Sequence, residues 1–288
     1  MRYDSIDTFL IDGRQVLAKG PIALIFAEDL IEVESTLRHH LSLGFKQVIL
    51  FAPDEVTLPE ELEEDIHRIR YATREAGMMS RAVNQLIAAA PKVWFYYCYN
   101  AEYLFFPFCE TRTITDMLTF HTEERRDAML TYVIDLYASD LGQYPNAVSP
   151  DCAHLDRSGY YALGRWSEAE GQVKDRQLDF HGGLRWRFEE HIPFTRRRID
   201  RIALFKAKKG LAISEEHLFN DEEYNTYACP WHHNLTAAIV SFRTAKALKS
   251  NAGSTFDIDT FMWHNSVRFD WNSQQLLDLG LMEPGQWF

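Results

Sequence analysis

Three acids are placed where a carboxylate could move a proton: Glu102, Asp135 and Asp221. A positioned Asp or Glu takes the proton of a reacting hydroxyl as a general base. Glu102 is the one acid in Val93-Trp94-Phe95-Tyr96-Tyr97-Cys98-Tyr99-Asn100-Ala101-Glu102-Tyr103-Leu104-Phe105-Phe106-Pro107, which reads as a buried strand, a turn and a closing apolar run. The plain alternative for Glu102 is a carboxylate that caps or ion-pairs a strand end. Arg196, Arg197, Arg198, Arg201, Lys206, Lys208 and Lys209 form the single basic concentration. Such groups can stabilise a leaving diphosphate through charge-assisted hydrogen bonds, although charge runs more often form a solvated face. Trp231-His232-His233-Asn234 invites a metal reading. Adjacent histidines on extended chain point to opposite sides, so they do not readily share one ion. Among the tryptophans, Trp231 is the best placed for ligand contact, whereas Trp166, Trp186, Trp263 and Trp271 read first as core.

The elements that must hold these groups follow from apolar periodicity. Pro21–Ala27 and Gln47–Ala52 are short continuous apolar runs, as expected of strands covered on both faces. Between them Leu30, Val33, Leu37, His40 and Leu41 recur at helical spacing, with Gly44 as the stop. Residues 59–66 read as an acidic helix, 67–71 as a short strand, 78–90 as a helix and 93–97 as a strand. Strands alternating with helices at this pacing predict a parallel sheet with crossover helices. Ligands in such sheets bind beyond the carboxyl ends of the strands, which groups Glu28, Asp54, Tyr99, Asn100, Ala101 and Glu102 around one cleft. Asp12-Gly13 between apolar runs reads as the turn of a lead-in hairpin over residues 1–20. The later chain is less regular. Residues 126–140 mix strand and helix features, 141–200 read as loop-rich, 237–248 as a helix or a strand-to-helix junction, and 273–279 as a helix capped by Asn272. With no repeat and no low-complexity linker, the expected organisation is a single domain over 1–288: the lead-in, a nucleotide-binding type of α/β half over 21–140, and a second half over 141–288.

Bulk composition narrows the partners. A formal charge of −12 argues against nucleic acid, which calls for a basic face, but leaves room for a small anion in a locally positive pocket. The four cysteines (Cys98, Cys109, Cys152, Cys229) have no zinc-like spacing, and no apolar segment is long enough to span a bilayer. The N-terminus lacks a basic start followed by an apolar run, so the expectation is a cytoplasmic chain with free thiols and no integral membrane segment.

Arg38-His39-His40-Leu41-Ser42-Leu43-Gly44-Phe45-Lys46-Gln47-Val48-Ile49-Leu50 resembles the opening of glycosyltransferase family 2-like proteins with the GT-A fold, in which a His-His-x-x-Leu-Gly-Phe phrase ends the first helix. Val93–Pro107 is similar to the family's Asp-x-Asp-Glu-Phe-Leu region, with Glu102, Tyr103, Leu104 and Pro107 in frame. Gly182-Gly183-Leu184-Arg185 and Ile202–Lys206 resemble a later Gly-Gly-x-Arg … Lys-x-Pro-Leu-Val phrase, and Ala238–Arg243 a Leu-Leu-His-Phe-Lys segment. The likeness spans roughly residues 20 to 250. It implies a GT-A-like, mostly parallel Rossmann-type sheet that binds a nucleotide-sugar donor and passes the sugar to an acceptor, glycan or small molecule. The implied donor-binding residues are Glu28, Asp54, Tyr99, Asn100, Ala101, Ser241 and Arg243. In the family the two aspartates hold a divalent metal on the diphosphate. Here Tyr99 and Ala101 occupy those places, and Ser241 replaces the histidine. The expectation is therefore transfer without Mn²⁺ or Mg²⁺ at this turn, because Tyr and Asn do not replace carboxylates as ligands of a hard cation. The competing expectation is a catalytically silent GT-A-like protein that binds or scaffolds. A third is a metal held near His232-His233.

Overall fold

Apolar runs and turn residues set the order of elements in a computed structural model that describes residues 1–229 and 233–287. The chain opens with β1 (Arg2–Tyr3) and α1 (Ile6–Asp12), so the expected lead-in hairpin is not formed. Ser5 caps this helix, its Oγ accepting the Thr8 amide at 3.1 Å, and Ile6 and Phe9 bury one face. Asp12-Gly13 ends the helix instead, with the Gly13 amide donating to the Phe9 carbonyl at 2.8 Å. A hairpin would need period-two alternation on both arms. The sequence instead carries one i, i+3 apolar pair followed by a 3-10 turn over Arg14–Ala18.

The alternating portion follows as read: β2 (Ile22–Phe26), α2 (Val33–Ser42), β3 (Gln47–Ala52), α3 (Glu60–Asp65), β4 (His67–Arg70), α4 (Met78–Ala89) and β5 (Trp94–Tyr99). Every residue of β2 is buried, as its unbroken apolar sequence demands. α2 buries Val33, Thr36, Leu37 and His40 and gives way to Gly44 at φ 82°. Then come β6 (Glu102–Phe105), α5 (Ile114–Glu123), β7 (Ala128–Asp135), β8 (Tyr137–Ala138), β9 (Ala153–Asp156), β10 (Tyr161–Ser167), β11 (Gln172–His181), α6 (Leu184–Arg187), β12 (Asp200–Lys206), β13 (Ala237–Ser241), α7 (Arg243–Ser250), β14 (Ser266–Arg268) and α8 (Ser273–Asp278). Thr113 and Asp116 close a reciprocal capping box on α5.

The largest sheet has the order β1-β4-β3-β2-β5-β12-β7-β13-β6. β1, β4, β3, β2 and β5 are mutually parallel, and β7 is parallel to β13. β12 runs antiparallel to β5, with Leu204 opposite Tyr96. The sheet is mixed, which corrects the expectation of a mostly parallel one. An apolar run such as Ile202–Phe205 shows that a strand is buried, but it does not encode the strand's direction. The chain reaches β12 through the one-turn α6 and two 3-10 turns. The loop-rich reading of 141–200 also missed the β10–β11 hairpin.

Two compact units divide the chain. The first comprises Met1–Tyr103, Thr111–Leu130 and Ile202–Asn225; the second comprises Leu104–Glu110, Thr131–Arg201 and Thr226–Phe288. In the first, Phe26 and Phe51 stack at 4.7 Å and His40 stacks on Tyr96 at 5.2 Å. In the second, Tyr137, Leu184, Ala245, Leu248, Ile258 and Phe261 form a core cluster.

Candidate functional site

In the first unit the carboxyl ends of β2 and β5 bring Glu28, Tyr99, Asn100, Ala101 and Glu102 together. The segment folds into a tight turn because Ala101 adopts φ 61° and its neighbours supply hydrogen bonds from within the unit. Asn100 Oδ1 accepts the Glu28 amide at 2.9 Å; its Nδ2 donates to Asp29 Oδ1 at 2.5 Å and to the Ile31 carbonyl at 2.8 Å. Glu102 is fully buried and its Oε2 accepts the Tyr99 amide at 2.9 Å. The Ala101 amide donates to Thr36 Oγ1 at 2.9 Å, and that hydroxyl donates to the Glu32 carbonyl. The amides and side chains that could meet a phosphate are thus engaged by the turn itself.

This donor set does not fit a hard cation. Asn100 Oδ1 and Glu102 Oε2 already accept main-chain amides, and Ala101, which has no donor atom on its side chain, is fully buried. Among the described residues no group of three or more His, Cys, Asp or Glu side chains is arranged to hold a metal. His232 and Trp231 lie outside the described residues. His233 is described, and its Nδ1 is 3.2 Å from Glu283 Oε2.

Asp54 follows β3 and pairs with Arg70 at 2.9 Å, both side chains exposed, beside a cleft of about 350 Å³ lined by Asp4, Pro53, Glu55 and Tyr71. A second cleft of about 460 Å³ is lined by Leu30, Glu32, Val33, Ser35, Val56 and Thr57, among others. Asp221 stands apart from the turn residues in sequence and pairs with Lys208. His40, on the inner face of α2, is fully buried; its Nδ1 bonds the Thr36 carbonyl at 2.7 Å. Burial, and then the adjacent His39, pull it down to about 3.

The second unit assembles a different cluster at the carboxyl ends of β7 and β13, where Asp135 lies opposite Ser241 in parallel register. Asp135 is 1% exposed, and neither carboxylate oxygen has a hydrogen-bond partner. The nearest cation is Arg185, whose Nε is 3.7 Å from Oδ1. Arg185 is itself directed elsewhere, donating to Thr244 Oγ1 at 3.2 Å and to the Arg198 carbonyl at 2.5 Å. Burial pushes the Asp135 carboxyl above its ordinary value; the Arg185 charge, the Thr244 hydroxyl and the Arg185 amide oppose this from beyond good bonding geometry.

Glycine makes the approach possible. Gly183 has φ 62° and ψ −150°, and a Cβ there would lie 2.9 Å from Asp135 Oδ2. A Cβ on Gly182 would lie 2.3 Å from Tyr160 Cδ1. The Tyr160 hydroxyl is likewise buried without a partner and is raised well above its ordinary value, first by burial and then by Asp156 and Asp135. Asp156, by contrast, is saturated: it accepts Tyr137 Oη at 2.5 Å, Trp263 Nε1 at 2.7 Å and Arg187 Nη1 at 3.1 Å. Ser241 Oγ accepts the Arg243 amide at 3.2 Å, opening α7.

The basic run is largely consumed by pairing: Arg197 with Glu189 at 2.8 Å, Arg198 with Asp200 at 2.6 Å, Lys206 with Asp127 at 3.6 Å, and Lys208 with Asp221. Sequence reasoning did not single out Tyr160 or Thr244. Arg185 and the two glycines were visible only as a Gly-Gly-x-Arg phrase, and the signal in it is that paired glycines mark a close backbone approach.

No protein-family model matches the chain, and no curated protein matches its sequence. Among the described residues no helix is long and apolar enough to cross a membrane.

Proposed function

We propose that the protein is a GT-A-like glycosyltransferase that moves a sugar from a nucleotide-sugar donor to an acceptor hydroxyl, with Asp135 as the general base. The observation that carries this reading is a fully buried carboxyl without a hydrogen-bond partner at the carboxyl end of β7, in the position relative to strand ends where α/β proteins keep their chemistry. A pKa raised by desolvation makes a carboxylate a stronger base than a free aspartate, and such perturbed groups cluster at functional sites. In the step, Asp135 takes the acceptor hydroxyl proton and the acceptor oxygen attacks the anomeric carbon. The bond from that carbon to the diphosphate breaks, and its electron pair leaves with the diphosphate. Reaching Asp135 requires the Gly182-Gly183 segment to shift, and both residues occupy backbone regions open chiefly to glycine. Supporting the donor class, β4-β3-β2-β5 follows the 3-2-1-4 order of nucleotide-binding doubly wound sheets.

A second reading, a silent GT-A-like binding module, is favoured by the Asn100 clamp, which fills the turn where a diphosphate would sit. A thermal-shift panel of UDP-, GDP-, CMP- and dTDP-sugars, with and without Mn²⁺, tests donor binding, because a ligand of the native state raises Tm by mass action. The transferase reading expects stabilisation by one donor, slow donor hydrolysis or transfer, and loss of about 10²-fold or more of that rate in Asp135→Asn with binding retained. Stabilisation without any turnover would select the silent module. No shift across the panel would overturn the transferase reading.

A further inference from the structure

β10 pairs with β11 along one edge only. The far edge of β11 is occupied: the Ile199 amide donates to the Phe180 carbonyl at 2.8 Å and the Tyr227 amide to the Arg176 carbonyl at 3.0 Å. Among the described residues no main-chain hydrogen bond reaches the outer edge of β10 between Tyr161 and Gly164. These four residues are all exposed, with Tyr161 at 44% and Leu163 at 56%. Exposed edge strands are normally blunted by lysine, proline or inward charge, and Tyr161-Ala162-Leu163-Gly164 carries none of these. The blunting devices come only afterwards. The register shifts between Gly164 and Trp166, and Arg165 turns inward to Asp179 at 2.7 Å and Asp200 at 2.9 Å.

We propose that this edge is a homodimer interface, with β10 pairing antiparallel to β10 of a second copy about a two-fold axis at Ala162. Main-chain groups and side chains both alternate with period two. Identical strands can therefore meet only with an axis through a residue, and the usable edge offers Ala162 or Leu163. An axis at Leu163 sets Tyr161 against Arg165, which is already committed to two carboxylates. An axis at Ala162 sets Tyr161 of each copy against Leu163 of the other on one face, twice over, and brings the smallest side chain onto itself. Aromatic–aliphatic cross-strand pairs are the stabilising unit of such a ladder. Tyr161 is already held for it, since its ring stacks on His181 at 5.2 Å. A second copy is thus the occupant that covers both exposed apolar side chains at once.

Sedimentation velocity of the full chain should show a monomer–dimer equilibrium, and Leu163→Lys should weaken dimerisation about tenfold or more because the site occurs twice per interface. An unchanged Tm at low protein concentration would show that the variant folds. Directly opposed residues have Cα atoms about 4.5–5.5 Å apart, within disulfide range. Ala162→Cys should therefore cross-link to a covalent dimer under copper-phenanthroline and oxygen. Leu163→Cys, displaced along the strand from its own copy, should not. A wild type that stays monomeric through the micromolar range overturns the proposal, as does equal cross-linking of the two cysteine variants.

Discussion

Asn100 and Asp135 place two polar side chains under opposite conditions. The Asn100 amide makes three bonds that fix the β2–α2 loop, so Asn100→Ala should cost about 3 kcal/mol in chemical denaturation, at roughly 1 kcal/mol per bond. Asn100→Asp should cost more, since it sets a second carboxylate against Asp29. Asp135, with no hydrogen bond to lose, should behave otherwise: Asp135→Asn removes a buried carboxyl whose nearest cation, Arg185, is 3.7 Å away, and should leave stability unchanged or raised. The sequence distinguished none of the candidate acids from one another. Glu102, Asp135 and Asp221 are alike as letters. What separates them is where folding puts them: one accepting a main-chain amide, one buried without a hydrogen bond, one ion-paired to Lys208 at a more exposed position.

Elements were legible where a single physical signal dominated. Continuous apolar runs gave β2, β3 and β5, and helical spacing with a glycine stop gave α2. Of the two readings open for 237–248, a helix or a strand-to-helix junction, the structure takes the second, with β13 leading into α7. The β10–β11 hairpin was not, because β10 is exposed on both faces through residues 161–164 and so lacks the alternation that marks a half-buried strand. The direction of β12 depends on partners distant in sequence. The segment before α6 is the element most sensitive to a single methyl group. Gly183→Ala forces a Cβ into a region with φ 62° and ψ −150° and to 2.9 Å from Asp135 Oδ2, which should cost about 2–4 kcal/mol. Gly210→Ala is the control, with φ 80° but open space around the added carbon, and should cost only about 1 kcal/mol. Urea midpoints of the two variants check the difference; equal losses would mean that strain alone, and not the crowding of Asp135, governs the site.

Across the whole molecule, buried titratable groups pull the pH dependence of stability in opposite directions. His40 and His121 are fully buried and lowered, by burial first, to about 3 and about 4 from 6.5. Below pH 6.5 the unfolded chain takes up protons that these folded imidazoles refuse. Their stabilisation is complete above 6.5 and is lost as pH falls, at about 1.4 kcal/mol per pH unit for each. Asp135 has the reverse sign. Its folded pKa is raised above 3.8, so the folded state keeps a proton that the unfolded chain releases. Its contribution is complete below 3.8 and is lost as pH rises through the folded value. Where the windows overlap, two histidines outweigh one aspartate, and these three groups together make stability rise with pH toward 6.5. Removing the opposing group should steepen that rise. Between pH 4 and the folded pKa of Asp135, the stability of Asp135→Asn relative to wild type should increase by about 1.4 kcal/mol per pH unit and then level off. Urea denaturation of both proteins across pH 4 to 7 measures this difference directly, because every group they share cancels. A flat difference would mean that Asp135 titrates alike in the folded and unfolded chain. The desolvation on which its role as a base depends would then be absent.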